Sequence, residues 1–137
     1  MSFLLDTNVV SELRKGSRTN ANVSQWIASV NEQDLRLSVL VVGELRQGVE
    51  RIRRRDVASA ERLDRWLTTL VEAFGERILP VDSRIAETWG RLNVPDPLPA
   101  VDGLLAATAL VHDLMLVTRN VRHVSRTGAR FVDPFRR

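Results

Sequence analysis

The chain contains no cysteine and no tyrosine, one lysine (Lys15) and two histidines, His112 and His123. The missing cysteines exclude a disulfide framework, a thiolate zinc site and a cysteine nucleophile. Two imidazoles are too few for a histidine-rich metal centre. No apolar run approaches the ~20 residues of a membrane span, and no signal-peptide pattern opens the chain, so a cytoplasmic protein is expected. With almost nothing to titrate between the histidines and the arginines, the isoelectric point of about 10.8 overstates a net charge of only +3. Nucleic-acid binding is allowed by that balance and not demanded by it.

What is present points to a globular enzyme-sized unit. At 137 residues, 44% hydrophobic and 27% charged, the chain suits one domain over 1–137 with a well-filled core. Short apolar runs alternate with longer helical patterns. Phe3-Leu4-Leu5, Leu35 to Ser38, Arg77 to Val81, Leu114 to Thr118 and Arg130 to Val132 read as strands. Helices are expected near 9–13, 23–30, 38–55, 58–74, 82–92 and 101–112, with 119–128 irregular. This alternation predicts an α/β fold with a short central parallel sheet of four to five strands flanked by helices. Such sheets place their sites beyond the carboxyl ends of the strands.

Polar residues collect at those ends. Asp6 follows the first strand directly, and Asn120 follows the fourth, just after Thr118. At 100° per residue, Glu44 shares a helix face with Leu40, Val41, Gly48 and Ile52, where an unpaired carboxylate is costly. Asp102 sits in the first turn of its helix, on the face of Leu105, Ala106 and Ala109. Four separated segments thus offer oxygen ligands to one place. Two carboxylates ~4 Å apart repel by about 4 kcal/mol at an effective dielectric near 20, so the cluster must protonate, splay or bind a cation. Oxygen-only ligands select a hard ion such as Mg²⁺, with Mn²⁺ as a substitute. The implied chemistry is phosphodiester hydrolysis by metal-activated water.

Each residue also has a plainer reading. Asp6-Thr7-Asn8 can be an Asx turn and helix cap, and Asp102 can simply complement a helix dipole. Thr118 can cap a turn or coordinate through water. Arg51, Arg53, Arg54 and Arg55 read first as a solvated helix end and second as a contact to substrate phosphate; Arg119, beside the site, is the better phosphate candidate. Trp26, Trp66 and Trp89 fall on apolar stripes and are expected in core or interface packing. Both histidines are expected on the surface.

Four ordered stretches resemble the PIN-domain ribonucleases, in particular the VapC-type toxins of bacterial toxin–antitoxin pairs. They are Phe3-Leu4-Leu5-Asp6-Thr7-Asn8-Val9-Val10; Ser38 to Leu45 with Gly48; Asp102-Gly103-Leu104-Leu105-Ala106-Ala107-Thr108-Ala109; and Leu116-Val117-Thr118-Arg119-Asn120. The resemblance implies a PIN-like fold and a Mg²⁺-dependent endoribonuclease acting on RNA of the tRNA or rRNA class. It also implies a homodimer neutralised by a cognate VapB-type antitoxin. In site residues it implies Asp6, Glu44, Asp102 and Asn120 as catalytic, the three acids as metal ligands, and Thr7 and Thr118 in support. Many relatives carry aspartate where this chain has Asn120, which lowers the negative charge. The alternative is a catalytically weak module that binds RNA or antitoxin. The amphipathic helical pair over 38–74 is the expected partner surface, with a basic partner side chain brought toward the acids. A phosphatase with an aspartyl nucleophile fits poorly, since Asn8 stands where its second acid is needed.

Overall fold

The computed structural model describes residues 1–136. Five parallel strands form the sheet: β1 (Phe3–Leu5), β2 (Leu35–Ser38), β3 (Ile78–Leu79), β4 (Met115–Val117) and β5 (Phe131–Val132), in the order β3-β2-β1-β4-β5. Seven α-helices connect them among the described residues: α1 (Thr7–Leu13), α2 (Ala21–Ala28), α3 (Val39–Arg53), α4 (Val57–Phe74), α5 (Ser83–Leu92), α6 (Ala100–His112) and α7 (Val121–Val124). The expected α/β class and parallel sheet are therefore present.

The strand order reverses between β1 and β4, and that is the feature that positions the site. From β1 the chain steps outward to β2 and β3, then returns to lay β4 against the other edge of β1. The crevice beyond the carboxyl ends of β1 and β4 is the topological switch point, where loops diverge and leave room for a ligand. Leu5 lies opposite Val117 in register, so Asp6 and Thr118, the next residues, emerge side by side there.

The core lies on both faces of the three central strands. Leu4, Leu37, Leu116 and Val117 are almost fully buried, as are Val9, Val41, Leu105 and Ala106 from the helices over them. Each fully buried leucine contributes roughly 1.5–3 kcal/mol relative to exposure. Small residues on α6 (Ala106, Ala107 and Ala109) let that helix sit close to the sheet. Gly103 meets α5 at the same level, where a Cβ would lie 3.0 Å from Trp89 Cδ1. That packing fixes the first turn of α6 and, with it, Asp102.

Several boundaries differ from the sequence expectation. α2 starts at Ala21 rather than 23, because Asn20 caps it through Asn22 N and Val23 N. α1 starts at Thr7, because the Asp6 side chain accepts from Thr7 N. The third strand is only Ile78–Leu79, ended by Pro80, which has no N–H to continue a ladder. Residues 121–124 form α7 inside the stretch expected to be irregular. The buried face of α3 is Val41, Leu45 and Val49, so Glu44 lies at the edge of the apolar stripe and is half-buried rather than inside it.

Arg46 does not reach Glu44 either. It pairs with Glu50 and Asp64, while Arg53 binds Glu50, Glu61 and Asp64, tying α3 to α4. These exposed ion pairs fix the register of the hairpin more than they stabilise it.

Candidate active site

Asp6, Thr7, Asn8, Glu44, Gln47, Arg51, Asp102 and Asn120 wall one open cleft of about 330 Å³ at the switch point. All four oxygen-bearing residues singled out from the sequence thus reach one place, from the ends of β1 and β4 and from α3 and α6.

Asp6 is the buried member, 6% exposed. Its Oδ1 accepts from Thr7 N at 2.7 Å, and its Oδ2 accepts from Thr118 Oγ1 at 2.6 Å and from Asn8 Nδ2 at 3.2 Å. Asp6 therefore caps α1, as the plainer reading of Asp6-Thr7-Asn8 expects, and lines the cleft as well. Burial pushes the Asp6 carboxyl above its ordinary range. The Thr118 and Thr7 hydrogen bonds oppose that rise, and the charges of Asp102 and Glu44 reinforce it.

Thr118 is fully buried, and its hydroxyl also accepts from Asn120 N at 2.9 Å. One side chain thus orients the first acid and shapes the turn that carries Asn120. Asn120 itself is exposed and precedes α7 without a side-chain cap. Thr7 Oγ1 donates to Glu44 Oε1 at 2.5 Å, joining α1 to α3 across the cleft.

Sequence reasoning missed His123, Asn8 and Gln47, and read Arg51 only as part of a basic helix end. His123, expected on the surface, is half-buried, and its Nδ1 lies 2.6 Å from Asp102 Oδ2. Asn8 bridges the two strand ends, since its Oδ1 accepts from Arg119 N at 3.3 Å. Gln47 and Arg51 follow Glu44 at i+3 and i+7, a helical spacing that puts all three on one wall. Arg119 does not line the cleft, and its guanidinium lies 4.3 Å over the Phe135 ring.

The donor set suits a hard divalent ion. Asp6 and Asp102 bring carboxylates to the same cleft from the end of β1 and the first turn of α6, and its lining offers oxygen donors and no imidazole or thiol. Among the described residues, no three acidic or histidine groups sit close enough to cage an ion by themselves.

Two outcomes follow. A carboxyl whose folded pKa is raised adds stability when protonated and loses it as pH rises through the folded value. In EDTA at neutral pH, Asp6→Asn therefore melts at the same temperature as the unaltered protein or higher. That difference shrinks as the pH falls through the raised carboxyl range. Scanning calorimetry at several pH values checks this; a gap that widens on acidification would count against it. The second concerns His123. Asparagine can place its Nδ2 where the imidazole holds Nδ1, whereas glutamine cannot. His123→Ala and His123→Gln are expected to weaken Mn²⁺ binding about tenfold, and His123→Asn to restore it, because partners that orient a ligating carboxylate typically cost 10–100-fold when lost. Paramagnetic titration of free Mn²⁺ reads this directly.

Comparison with known proteins agrees with the fold and the residue order. Residues 3–129 match the PIN domain. The chain is 35% identical over 126 residues to Toxin FitB of Neisseria gonorrhoeae, covering 86% of this chain and 87% of that protein. It is 30% identical to VapC ribonuclease Y4jK of Sinorhizobium fredii, with 97% of each chain covered. The crystal structure of FitAcB from Neisseria gonorrhoeae superposes with a TM-score of 0.89 at 30% identity, over 97% of this chain and 98% of that one. The chain belongs to the PIN-domain family, among its VapC-type toxins.

Proposed function

We propose that this protein is a Mg²⁺-dependent endoribonuclease, the toxin of a VapBC-type toxin–antitoxin pair. The observation that carries the reading is the meeting of Asp6, Glu44, Asp102 and Asn120 in one cleft at the sheet's switch point. A nuclease among the relatives, VapC ribonuclease Y4jK, supports it.

Asp6 and Asp102 would hold the Mg²⁺, or Mn²⁺ in its place, with Glu44 and Asn120 completing the oxygen set. When bound, the ion supplies Lewis-acid polarisation of a phosphodiester and a water acidic enough to attack it. The protein's own groups do the positioning. Thr118 and Asn8 fix the plane of the Asp6 carboxylate, and His123 fixes that of Asp102. Thr7 binds Glu44 Oε1 and leaves Oε2 without a partner among the described residues, so Oε2 is the atom that accepts the proton of the attacking water. Water adds to phosphorus, one P–O bond breaks, and the leaving oxygen takes up a proton.

RNA of the tRNA or rRNA class, a cognate VapB-type antitoxin, a homodimer and a cytoplasmic setting complete the reading. An apolar cleft of about 330 Å³, walled by Leu13, Ile27, Trp66, Leu70 and Phe74, gives the antitoxin a surface between α1, α2 and α4. No helix among the described residues is long and apolar enough to cross a membrane.

The test is incubation of antitoxin-free protein with total cellular RNA in Mg²⁺ and in EDTA. Discrete fragments in Mg²⁺ alone are expected. Folded protein that cuts nothing in either Mg²⁺ or Mn²⁺ would replace the enzyme with a binding module.

A further inference from the structure

Away from the acidic cleft, a cavity of about 570 Å³ is walled by Arg14 and Arg18 at the end of α1 and by Arg55 and Arg62 around the α3–α4 turn. Asp56 is the one carboxylate among the residues lining this cavity, and it is engaged in capping α4 through Ser59 N and Ser59 Oγ. Among the described residues, Arg14, Arg18 and Arg55 make no ion pair, and Arg62 binds only the Ser59 hydroxyl. The neighbouring face of the same hairpin is different, because there Arg46 and Arg53 are neutralised by Glu50, Glu61 and Asp64. Arginines from two separate chain segments thus converge around a single carboxylate among the residues lining the cavity. Such a concentration of positive charge is relieved by a polyanion.

The cavity is also connected to the chemistry. It shares Arg14 and Trp66 with a smaller cavity whose other wall is Thr7 and Glu44, and those two residues line the acidic cleft as well. The three cavities therefore adjoin through shared walls, in the order acids, half-buried Trp66, arginines, and together they mark one path along this face.

We propose that this path is a binding tract for the backbone of single-stranded RNA, with Arg14, Arg18, Arg55 and Arg62 holding phosphates away from the scissile bond. The proposal rests on the ribonuclease reading and names a place where its substrate is held. Planar guanidiniums suit phosphate oxygens, and an indole beside the path offers a face for a base. An acidic protein segment would satisfy the charge too, but nothing about it would require continuity with the acids.

The experiment uses the full chain carrying Asp6→Asn, so that binding is measured without cutting. The probe is a fluorescein-labelled mixed-sequence 20-nucleotide RNA, titrated at several salt concentrations, with a labelled poly-glutamate peptide alongside. Arg14→Gln with Arg55→Gln is expected to weaken RNA binding about tenfold. It should also lower the salt slope by about 1.4, since each phosphate contact on a single strand contributes roughly 0.7. Arg84→Gln, an exposed arginine on α5, should change neither. With Asp6 intact, the double variant should raise KM for cleavage and leave kcat unchanged. Unchanged RNA affinity and slope in a folded double variant would overturn the proposal. Loss of peptide binding alone would overturn it in favour of an acidic protein partner. If the unaltered chain binds RNA through these arginines and never cuts it, the ribonuclease reading fails and the tract stands. If it cuts with Mg²⁺ and the arginines prove silent, only the tract fails.

Discussion

Asp6→Asn is expected to lower the rate of RNA cleavage by more than 100-fold while leaving the fold intact. The size follows from position. Groups that merely orient a ligating side chain cost 10–100-fold when lost, so a carboxylate proposed to hold the ion itself should cost more. The intact fold follows from the hydrogen bonds around Asp6. Asparagine keeps an oxygen for Thr7 N and so preserves the cap of α1, and the Thr118 hydroxyl can turn to accept from the new amide. Removing the charge also removes repulsion from Asp102 and Glu44. A loss of activity accompanied by a lower melting temperature would mean that Asp6 serves structure first. Cleavage assays and thermal unfolding on the same preparation separate the two.

How this site could be read from sequence depends on where each residue stands. Asp6 and Asn120 are visible because the first directly follows an apolar strand and the second stands three residues past the end of another, and a strand's carboxyl end in a parallel sheet is a fixed place. Asp102 was visible because the first turn of a small-residue helix must approach the sheet. Glu44 lines the cleft, but the sequence argument that put it there is partly mistaken. The helical phase assigned it to the buried stripe, but the buried stripe is Val41, Leu45 and Val49, and Glu44 flanks it. A rotation of one position is within what periodicity tolerates, because 100° steps blur the edge of an apolar face. His123 could not be read this way. Its place depends on α7, a helix of four residues with no periodicity to detect, and on the packing of α7 against α6. Asn8 was hidden for a related reason, since its partner Arg119 N lies 111 residues away and meets it only through the β1–β4 register. The arginines present the same difficulty on a larger scale. Arg51 to Arg55 looked like one basic run at a helix end. Folding divides it: Arg51 faces the acids, Arg53 is neutralised by α4, and Arg55 joins Arg14 and Arg18.

Thr118→Val should raise the Mg²⁺ concentration needed for half-maximal cleavage by 10–100-fold, with a smaller change in rate at saturating metal. Valine matches threonine in shape, so the fully buried position stays filled and no cavity opens. What disappears is one hydroxyl with two duties. Asp6 Oδ2 loses its shortest hydrogen bond, the strongest influence holding its carboxyl in the ionised form, so its pKa climbs further above the ordinary range. A cation then competes with a proton for a carboxylate that is both harder to ionise and free to rotate, and affinity falls with pH more steeply than before. Asn120 N loses its acceptor as well, which loosens the turn beyond β4. Stability should fall by about 1–3 kcal/mol, the usual cost of leaving buried polar groups unpaired. Thr118→Ser restores the hydroxyl without the methyl group. It should recover most of the metal affinity, and that recovery separates the hydrogen bond from the packing. Should serine behave like valine, the methyl rather than the hydroxyl would be what the site needs, and Thr118 would belong to the core alone.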